Sequence, residues 1–216
     1  MTCNPITKIQ GRWKRRKEAR PQELLAAALD IFVERGYAAT RLDDVAAQAG
    51  VSKGTLYLYF TNKEDLFKAV VRTHLVPALD EAEQTIDRFE GNSGELLRTI
   101  ILNWWEQIGE TKLSGITKLM MAESGNFPEV AQFYHDEVIL RSKSMIARAM
   151  VRGMDRGELR RLDPEMATQV LVAPVLMLML WKHSFQDCHT SSPLMSPITF
   201  LHTFIDILFN GLLVLK

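Results

Sequence analysis

Residues 40–60 contain basic, hydroxyl and aromatic side chains at a spacing that suits contact with nucleic acid. The segment reads TRLDDVAAQAGVSKGTLYLYF, with Lys53, Tyr57 and Tyr59 following a turn at Gly50. An ammonium group binds phosphate, whereas hydroxyl groups and rings contact the sugar-phosphate backbone or the edges of bases. The spacing predicts two short helices joined by a tight turn. In such a helix-turn-helix, the second helix lies in the major groove of duplex DNA.

Inner positions of the same segment determine how the two helices meet. Ala46 has the small side chain that a close approach of the helices requires, and Leu56 faces inward from the second helix. Gly50 lies where the turn needs a left-handed backbone, which glycine adopts without penalty. The alternative is an ordinary helical hairpin with a solvated basic face, and the complete pattern disfavours it.

The N-terminal 20 residues form a polar segment that is rich in positive charge. Seven Lys or Arg residues and Trp13 lie within residues 8–20. We expect residues 1–20 to be a basic arm in which Arg16 and Arg20 contact phosphates or the minor groove. The alternative is a tail that only aids solubility.

Charge is distributed unevenly along a chain whose net charge is zero. Residues 1–72 have a net charge of +5 and residues 73–216 a net charge of −5. This distribution fits DNA contact at one end of the molecule. Two widely spaced cysteines and a start without a continuous apolar stretch favour a reducing, cytoplasmic setting over secretion.

Helical periodicity runs through the sequence, and we find no alternating strand pattern, so the expected class is all-α. Pro77 is expected to kink or break one long helix. Residues 91–94 and 186–195 are expected loops. Ser52 and Asn92 are expected to cap the helices that follow them. The expected helices cover residues 21–35, 42–49, 53–59, 63–88, 95–109, 113–124, 128–153, 164–185 and 197–215. The expected domains are the arm at 1–20, a DNA-binding domain at 21–71 and a ligand-binding and dimerisation domain at 72–216.

Residues 21–71, about a quarter of the chain, resemble the N-terminal domain of the TetR/AcrR family of bacterial transcriptional regulators. The resemblance rests on Ala27, Ala28, Leu29, Phe32, Gly36, Tyr37, Thr40, Val45, Ala46, Gly50, Val51, Ser52, Gly54, Thr55, Leu56, Tyr57, Tyr59, Phe60, Asn62, Lys63, Asp65 and Leu66. It implies DNA contacts by Thr40, Arg41, Ser52, Lys53, Gly54, Thr55, Tyr57, Leu58, Tyr59 and Lys63. Leu58 departs from the family pattern and offers only apolar contact, for example to a thymine methyl group.

The resemblance also implies a helical C-terminal domain that dimerises through its last two helices. Both helices are apolar around most of their circumference, which a dimer interface would explain. The expected interface residues are Val172, Val175, Leu176, Met179, Phe200, Phe204, Ile205 and Leu208. The apolar run at 170–181 is shorter than the roughly 20 residues of a membrane span, so no membrane contact is expected.

A small-molecule pocket is the second feature that the resemblance implies. The candidate lining residues are Trp104, Trp105, Met120, Met121, Phe127, Phe133, Tyr134, Met145, Met177 and Trp181. Trp104 and Trp105 are adjacent on a helix, so one of them should pack inward and the other face a second surface. The alternative for each residue is plain core packing. A cavity above roughly 300 Å³ would favour a sensor of small molecules.

One candidate metal site lies near the end of the expected helix at 164–185. Its residue types suit zinc, and it consists of His183, Asp187, Cys188 and His189. Their spacing matches no strong zinc pattern, so no metal is expected. No cofactor is expected either, and no nucleophile motif, phosphate loop or paired carboxylates indicate an enzyme.

These features predict a homodimeric transcriptional repressor that a small hydrophobic or amphipathic effector releases from a palindromic operator. Control of efflux is one expected role. The helix after Asn62 would connect effector and DNA sites. The alternative is a ligand-independent regulator or an activator whose C-terminal domain only dimerises or binds a protein partner.

Overall fold

The computed structural model describes residues 5–185 and 196–211, with side chains from residue 21 onward. All regular elements within these ranges are helical, which confirms the predicted all-α class. The α-helices are α1 (Pro5–Ala39), α2 (Leu42–Gln48), α3 (Lys53–Tyr57), α4 (Lys63–His74), α5 (Val76–Arg88), α6 (Ser93–Trp104), α7 (Ser114–Glu123), α8 (Pro128–Tyr134), α9 (Leu140–Asp155), α10 (Pro164–Phe185) and α11 (Pro197–Asn210). Two π-helical turns, Trp105–Gly109 and His135–Ile139, follow α6 and α8.

The chain divides into two compact units, Met1–Val71 and Arg72–Lys216. The first unit is built around three rings. Phe32 and Tyr37 stack with centroids 5.8 Å apart, and Phe67 meets both edge-on at 5.2 and 5.5 Å. Such aromatic pairs contribute about 0.5–1.5 kcal/mol each beyond their burial. Because Phe67 belongs to α4, this cluster fixes α4 against α1.

Helix α1 begins at Pro5, so the predicted start at residue 21 is wrong. Pro21 lies inside the helix, where its ring removes one backbone hydrogen bond. The preceding residues include many strong helix formers, Lys, Arg, Glu and Gln, which favour continuation of the helix. At the other end, Gly36 has φ 82°, so the regular helix is interrupted there as predicted.

Pro77 breaks the long helix that the sequence suggested over residues 63–88. Helix α4 ends at His74, and α5 begins at Val76 with Pro77 in its first turn. Proline lacks an N–H donor and is tolerated in the first turn of a helix. The break is therefore the outcome that proline chemistry favours.

The second unit contains α5 to α11. Helix α10 packs against α7 and α9, and α6 packs against α9. The predicted cap at Asn92 is confirmed, since its side chain accepts a hydrogen bond from the Glu95 N–H at 2.9 Å. Helix α11 ends at Asn210 rather than at residue 215, because Gly211 adopts φ 75°. The predicted loop at 186–195 lies outside the described residues.

Candidate DNA-binding surface and ligand cavity

Helices α2 and α3 form the predicted helix-turn-helix. Gly50 has the left-handed φ of 66° that the turn requires. Ser52 caps α3, and its Oγ accepts a hydrogen bond from the Thr55 N–H at 3.2 Å. Leu56 is fully buried and attaches α3 to the core. The opposite face of α3 is therefore available to a partner.

The exposed face of this motif combines one ammonium group, one ring and one large aliphatic side chain. Lys53 and Gly54 are exposed, as are Tyr57 and Leu58, and Leu58 has 81% of its surface accessible. Arg41, also exposed, is the N-cap residue of α2. Exposure of the apolar Leu58 side chain to water is unfavourable, and contact with a thymine methyl group would reduce this exposure.

Other predicted DNA contacts have partners inside the domain. Thr40 is buried, and its hydroxyl donates to the Gly36 carbonyl at 2.6 Å. The Lys63 ammonium donates to the Tyr37 and Ala38 carbonyls at 2.7 and 3.0 Å. These bonds favour structural roles for both residues.

Thr55 and Tyr59 are half-buried, and the Ser52 and Thr55 hydroxyl oxygens lie 2.9 Å apart. The side chains of Thr55 and Tyr59 are therefore less free to reach DNA than the exposed side chains of α3. The side chains of Arg16 and Arg20 lie outside the described part of the chain, so the contacts of the arm stay a prediction.

Lys53, the exposed cation of the recognition helix, forms an ion pair with Asp43 of α2. Its Nζ lies 2.8 Å from the carboxylate, and the hydrogen bond and charge of Asp43 raise the pKa of Lys53. Both side chains are more than half exposed, so solvent screens the pair. A DNA phosphate would therefore compete with Asp43 for this ammonium group.

Replacing Asp43 with asparagine is expected to tighten DNA binding about two- to fivefold. In the wild type, Lys53 must break its ion pair with Asp43 before it can bind a phosphate, and the variant lacks this ion pair. The measurement is a titration against a labelled duplex at several salt concentrations. Asp44→Asn is the matched control, since Asp44 pairs with Arg35 of α1 instead. Equal tightening by both variants would mean that only the loss of negative charge matters.

A cavity of about 400 Å³ lies within the second unit. Side chains from α5, α6, α7, α8, α9, α10 and both π-helical turns line it, and most of the lining is apolar. Its volume exceeds the roughly 300 Å³ at which ligand pockets of proteins begin. The size therefore favours the interpretation of this domain as a sensor over that of a fully packed body.

Half of the predicted lining residues face this cavity. These are Trp104, Met120, Met121, Tyr134 and Met145. Trp105 is buried in the core instead, which confirms that the adjacent tryptophans face different surroundings. Phe133 lies under the Arg72 guanidinium at 4.9 Å, and Phe127 is half-buried outside the lining.

Helix α10 is rotated relative to our expectation. Val172, Val175, Leu176 and Met179, predicted for the dimer interface, all line the cavity. Met177 and Trp181, predicted for the pocket, are instead about half exposed. The sequence alone did not fix this rotation because α10 is apolar on nearly all sides.

The outer side of α10 forms an apolar stripe. It consists of Met166, Val170, Ala173, Met177 and Trp181, all of which are exposed. Their spacing of three or four residues places them on one helix face. On α11, Phe200 and Phe204 are half-buried, Ile205 is buried and Leu208 is 37% exposed.

By length and composition α10 resembles a membrane span, contrary to the expectation from its 12-residue apolar core. The helix has 22 residues and is apolar over most of its length. A core or interface helix of a soluble protein has the same composition, and only 28% of the apolar part of α10 is buried within the chain. Burial of the exposed apolar surface of α10 would require a partner molecule.

Ion pairs connect the two helices beside the cavity. Arg141 of α9 bonds to Asp80 and Glu83 of α5 at 2.6 and 2.9 Å, and these bonds raise the pKa of Arg141 above its usual range. Glu81 and Lys143 contribute the charged groups of the lining. The residues around the cavity are thus mostly apolar, with one acidic and one basic residue among them.

Polar contacts connect α10 to the segment between α6 and the start of α7. The Lys182 ammonium donates to the carbonyls of Gly109, Glu110 and Thr111, and burial lowers the pKa of this residue. His183 Nε2 lies 2.8 Å from the Ser114 hydroxyl. In the described ranges, no three His, Cys, Asp or Glu residues form a metal-binding group, and Asp187, Cys188 and His189 lie outside them.

The sequence did not identify most aliphatic and small lining residues. Ala78 and Ala82 of α5 and Ile100 and Ile101 of α6 face the cavity together with Val138. These residue types also fill ordinary cores, so no signal in the sequence separates the two uses. Aromatic and methionine side chains were the recognisable part of the lining.

Two family models match this chain. Residues 24–70 match the bacterial regulatory proteins of the tetR family, and residues 95–193 match the C-terminal domain of AefR-like transcriptional repressors. The fatty acid metabolism regulator protein of Bacillus subtilis (strain 168) is 26% identical over 163 residues, which cover 74% of this chain and 82% of that protein.

Two further similarities concern a part of the chain and its fold. The transcriptional activator FasR of Mycolicibacterium smegmatis is 44% identical over 59 residues, 27% of each chain. The crystal structure of FadR from Bacillus subtilis in complex with stearoyl-CoA has a TM-score of 0.73 and 23% identity, and covers 88% of this chain and 98% of that one. At that identity the similarity shows the fold.

The helix-turn-helix geometry, the helical second unit and both family matches agree with one another. The resemblance predicted from residues 21–71 is confirmed. The chain belongs to the TetR family of bacterial regulatory proteins and is a DNA-binding transcriptional regulator.

Proposed function

We propose that this protein is a cytoplasmic homodimeric repressor that leaves a palindromic operator when an effector with a long apolar chain enters the cavity. The cavity of about 400 Å³ with its largely apolar lining is the observation that carries this proposal. An amphipathic ligand would bury its chain against these walls and gain roughly 0.8 kcal/mol for each buried CH₂ group.

A fatty acyl thioester is the effector class that we propose. The relative from Bacillus subtilis is named a regulator of fatty acid metabolism, and a structural neighbour binds stearoyl-CoA. Lys143 is the basic residue of the lining, and its positive charge suits an effector with an anionic head group. The match to AefR-like repressors supports repression. Control of efflux stays a prediction from the sequence.

We propose that two copies associate through the apolar stripe of α10 together with α11. The stripe is continuous and exposed in the single chain, and covering it removes large apolar side chains from water. Two recognition helices would then read half-sites about 34–36 Å apart. Release follows if the effector favours a dimer with a different spacing of these helices.

An activator is the second candidate. The relative FasR is named an activator, but the similarity covers only 27% of each chain and does not distinguish the sign of regulation. The position of the operator relative to the promoter would decide it. A transcription assay with the recovered operator placed at its natural position separates the two candidates.

Selection of bound duplexes from a random DNA pool with the full-length protein is the first experiment. We expect a palindrome, and we expect stearoyl-CoA to weaken binding to it at least tenfold whereas CoA without an acyl group does not. No recovered motif would contradict specific recognition. A palindrome whose affinity is unaffected by stearoyl-CoA would contradict the proposed effector.

A further inference from the structure

Two hydroxyl groups lie together in the apolar wall of the cavity. Thr117 of α7 and Tyr134 of α8 both line it, and both are buried, with 8% and 5% of their surface accessible. Their oxygens are 3.1 Å apart, so one hydroxyl donates a hydrogen bond to the other. This buried polar pair belongs to a lining that is mostly apolar.

The pair has one hydrogen more than it can use. Each hydroxyl brings one hydrogen and two acceptor lone pairs, and the bond between them uses a single hydrogen. Neither Thr117 nor Tyr134 has another hydrogen-bond partner among the described residues. Burial raises the pKa of Tyr134 to about 12, so its hydroxyl keeps its proton at neutral pH. One buried O–H group of the pair therefore lacks an acceptor within the described part of the chain.

Two other hydroxyls of the lining differ in this respect. The Thr85 hydroxyl donates to the Glu81 carbonyl at 2.9 Å, and the Ser142 hydroxyl donates to the Val138 carbonyl at 2.8 Å. Each of these hydrogens is bound by a carbonyl four residues earlier in the chain. A buried donor without an acceptor is costly, and native proteins rarely leave one without a water or ligand partner.

We propose that the effector carries an acceptor oxygen on its apolar body and that this oxygen binds the spare hydroxyl hydrogen of the Thr117–Tyr134 pair. This inference rests on the proposed function, because it requires the cavity to be the effector site. An acyl thioester offers such an oxygen in its carbonyl group, and a chain with a hydroxyl or keto group offers another. The pair thus selects an oxygenated chain over a plain hydrocarbon.

Two pairs of probes that each differ by one carbonyl oxygen test this selection. Palmitoyl-CoA is compared with S-hexadecyl-CoA, the thioether without the carbonyl group. In the second pair, 2-dodecanone is compared with dodecane, both delivered from cyclodextrin and without a nucleotide. Binding to the full-length protein is measured by calorimetry and by intrinsic tryptophan fluorescence, to which Trp104 in the cavity lining contributes.

We expect the wild-type protein to prefer the carbonyl member about tenfold, the usual scale of one buried hydrogen bond. The double variant Thr117→Val/Tyr134→Phe removes both hydroxyls while keeping much of the side-chain volume, and it should bind both members equally. Thr85→Val is the matched control and should keep the preference, because the Thr85 hydrogen already has an acceptor. Thermal unfolding checks that each variant is folded.

The outcomes separate this inference from the proposed effector. Preference for the ketone that the double variant loses, without binding of either CoA compound, supports the inference and contradicts the acyl thioester as effector. Preference for the ketone, with both CoA compounds bound equally, also supports the inference. It indicates that the acceptor oxygen of the effector lies along its apolar chain and not in a thioester. Equal binding within both pairs, a preference that survives in the double variant, or failure of all four probes to bind overturns the inference.

Discussion

Replacing Met177 with aspartate is expected to convert the protein into monomers and to weaken operator binding more than a hundredfold. Met177 lies in the middle of the apolar stripe of α10 and is 51% exposed in the single chain. A carboxylate there would be buried without a partner in the proposed dimer, twice in a symmetric interface. Sedimentation analysis gives the oligomeric state, and titration with the selected duplex gives the affinity.

Val151→Asp is the matched control for Met177→Asp. Val151 of α9 is also an exposed aliphatic residue, with 41% of its surface accessible, but it lies outside the stripe. This variant should remain dimeric and bind the operator as the wild type does. A Met177→Asp protein that is still a dimer would show that the interface uses another surface. Val175→Asp would not test the interface, because Val175 lines the cavity.

The helix-turn-helix was predictable because its determinants are local. A left-handed glycine at Gly50, a capping serine at Ser52 and an inward leucine at Leu56 act within a few residues of one another. Each of these features was expected from the sequence and is present in the structure. The cap at Asn92 and the break at Pro77 follow the same kind of local rule.

The cavity and the stripe of α10 were less predictable because they depend on contacts between distant segments. The sequence indicates that α10 is apolar, but the direction of each side chain is set by α7 and α9 packing against one side. Val175 and Met177 are two residues apart, and only packing decides which of them faces inward. The same holds for Trp104 and Trp105. The sequence predicted that one of them packs inward, but not which one.

Lys63 shows the limit of transferring a family role to a position. The resemblance predicts a phosphate contact, whereas the structure places its ammonium 4.6 Å from the Tyr37 ring centroid and in hydrogen bonds to two carbonyls near the end of α1. Cations stabilise helix C-termini because carbonyls there lack intrahelical partners. A contact over 26 residues of sequence leaves no local signature.

Replacing Lys63 with methionine is therefore expected to lower the free energy of unfolding by about 2–4 kcal/mol, since two charge-assisted hydrogen bonds are lost and two carbonyls lose their donor. Urea unfolding measures this change. Lys68→Met is the matched control on the same helix, because Lys68 pairs with Glu64 one turn away, and partly exposed pairs of this kind contribute little.

The salt dependence of DNA binding decides between the two roles of Lys63. Each phosphate contact contributes about one unit to the slope of log affinity against log salt. A structural Lys63 leaves this slope unchanged in the folded Lys63→Met variant, and affinity falls only with the folded fraction. Loss of about one unit with unchanged stability would instead show that Lys63 leaves the α1 carbonyls and binds a phosphate, as the family resemblance implies.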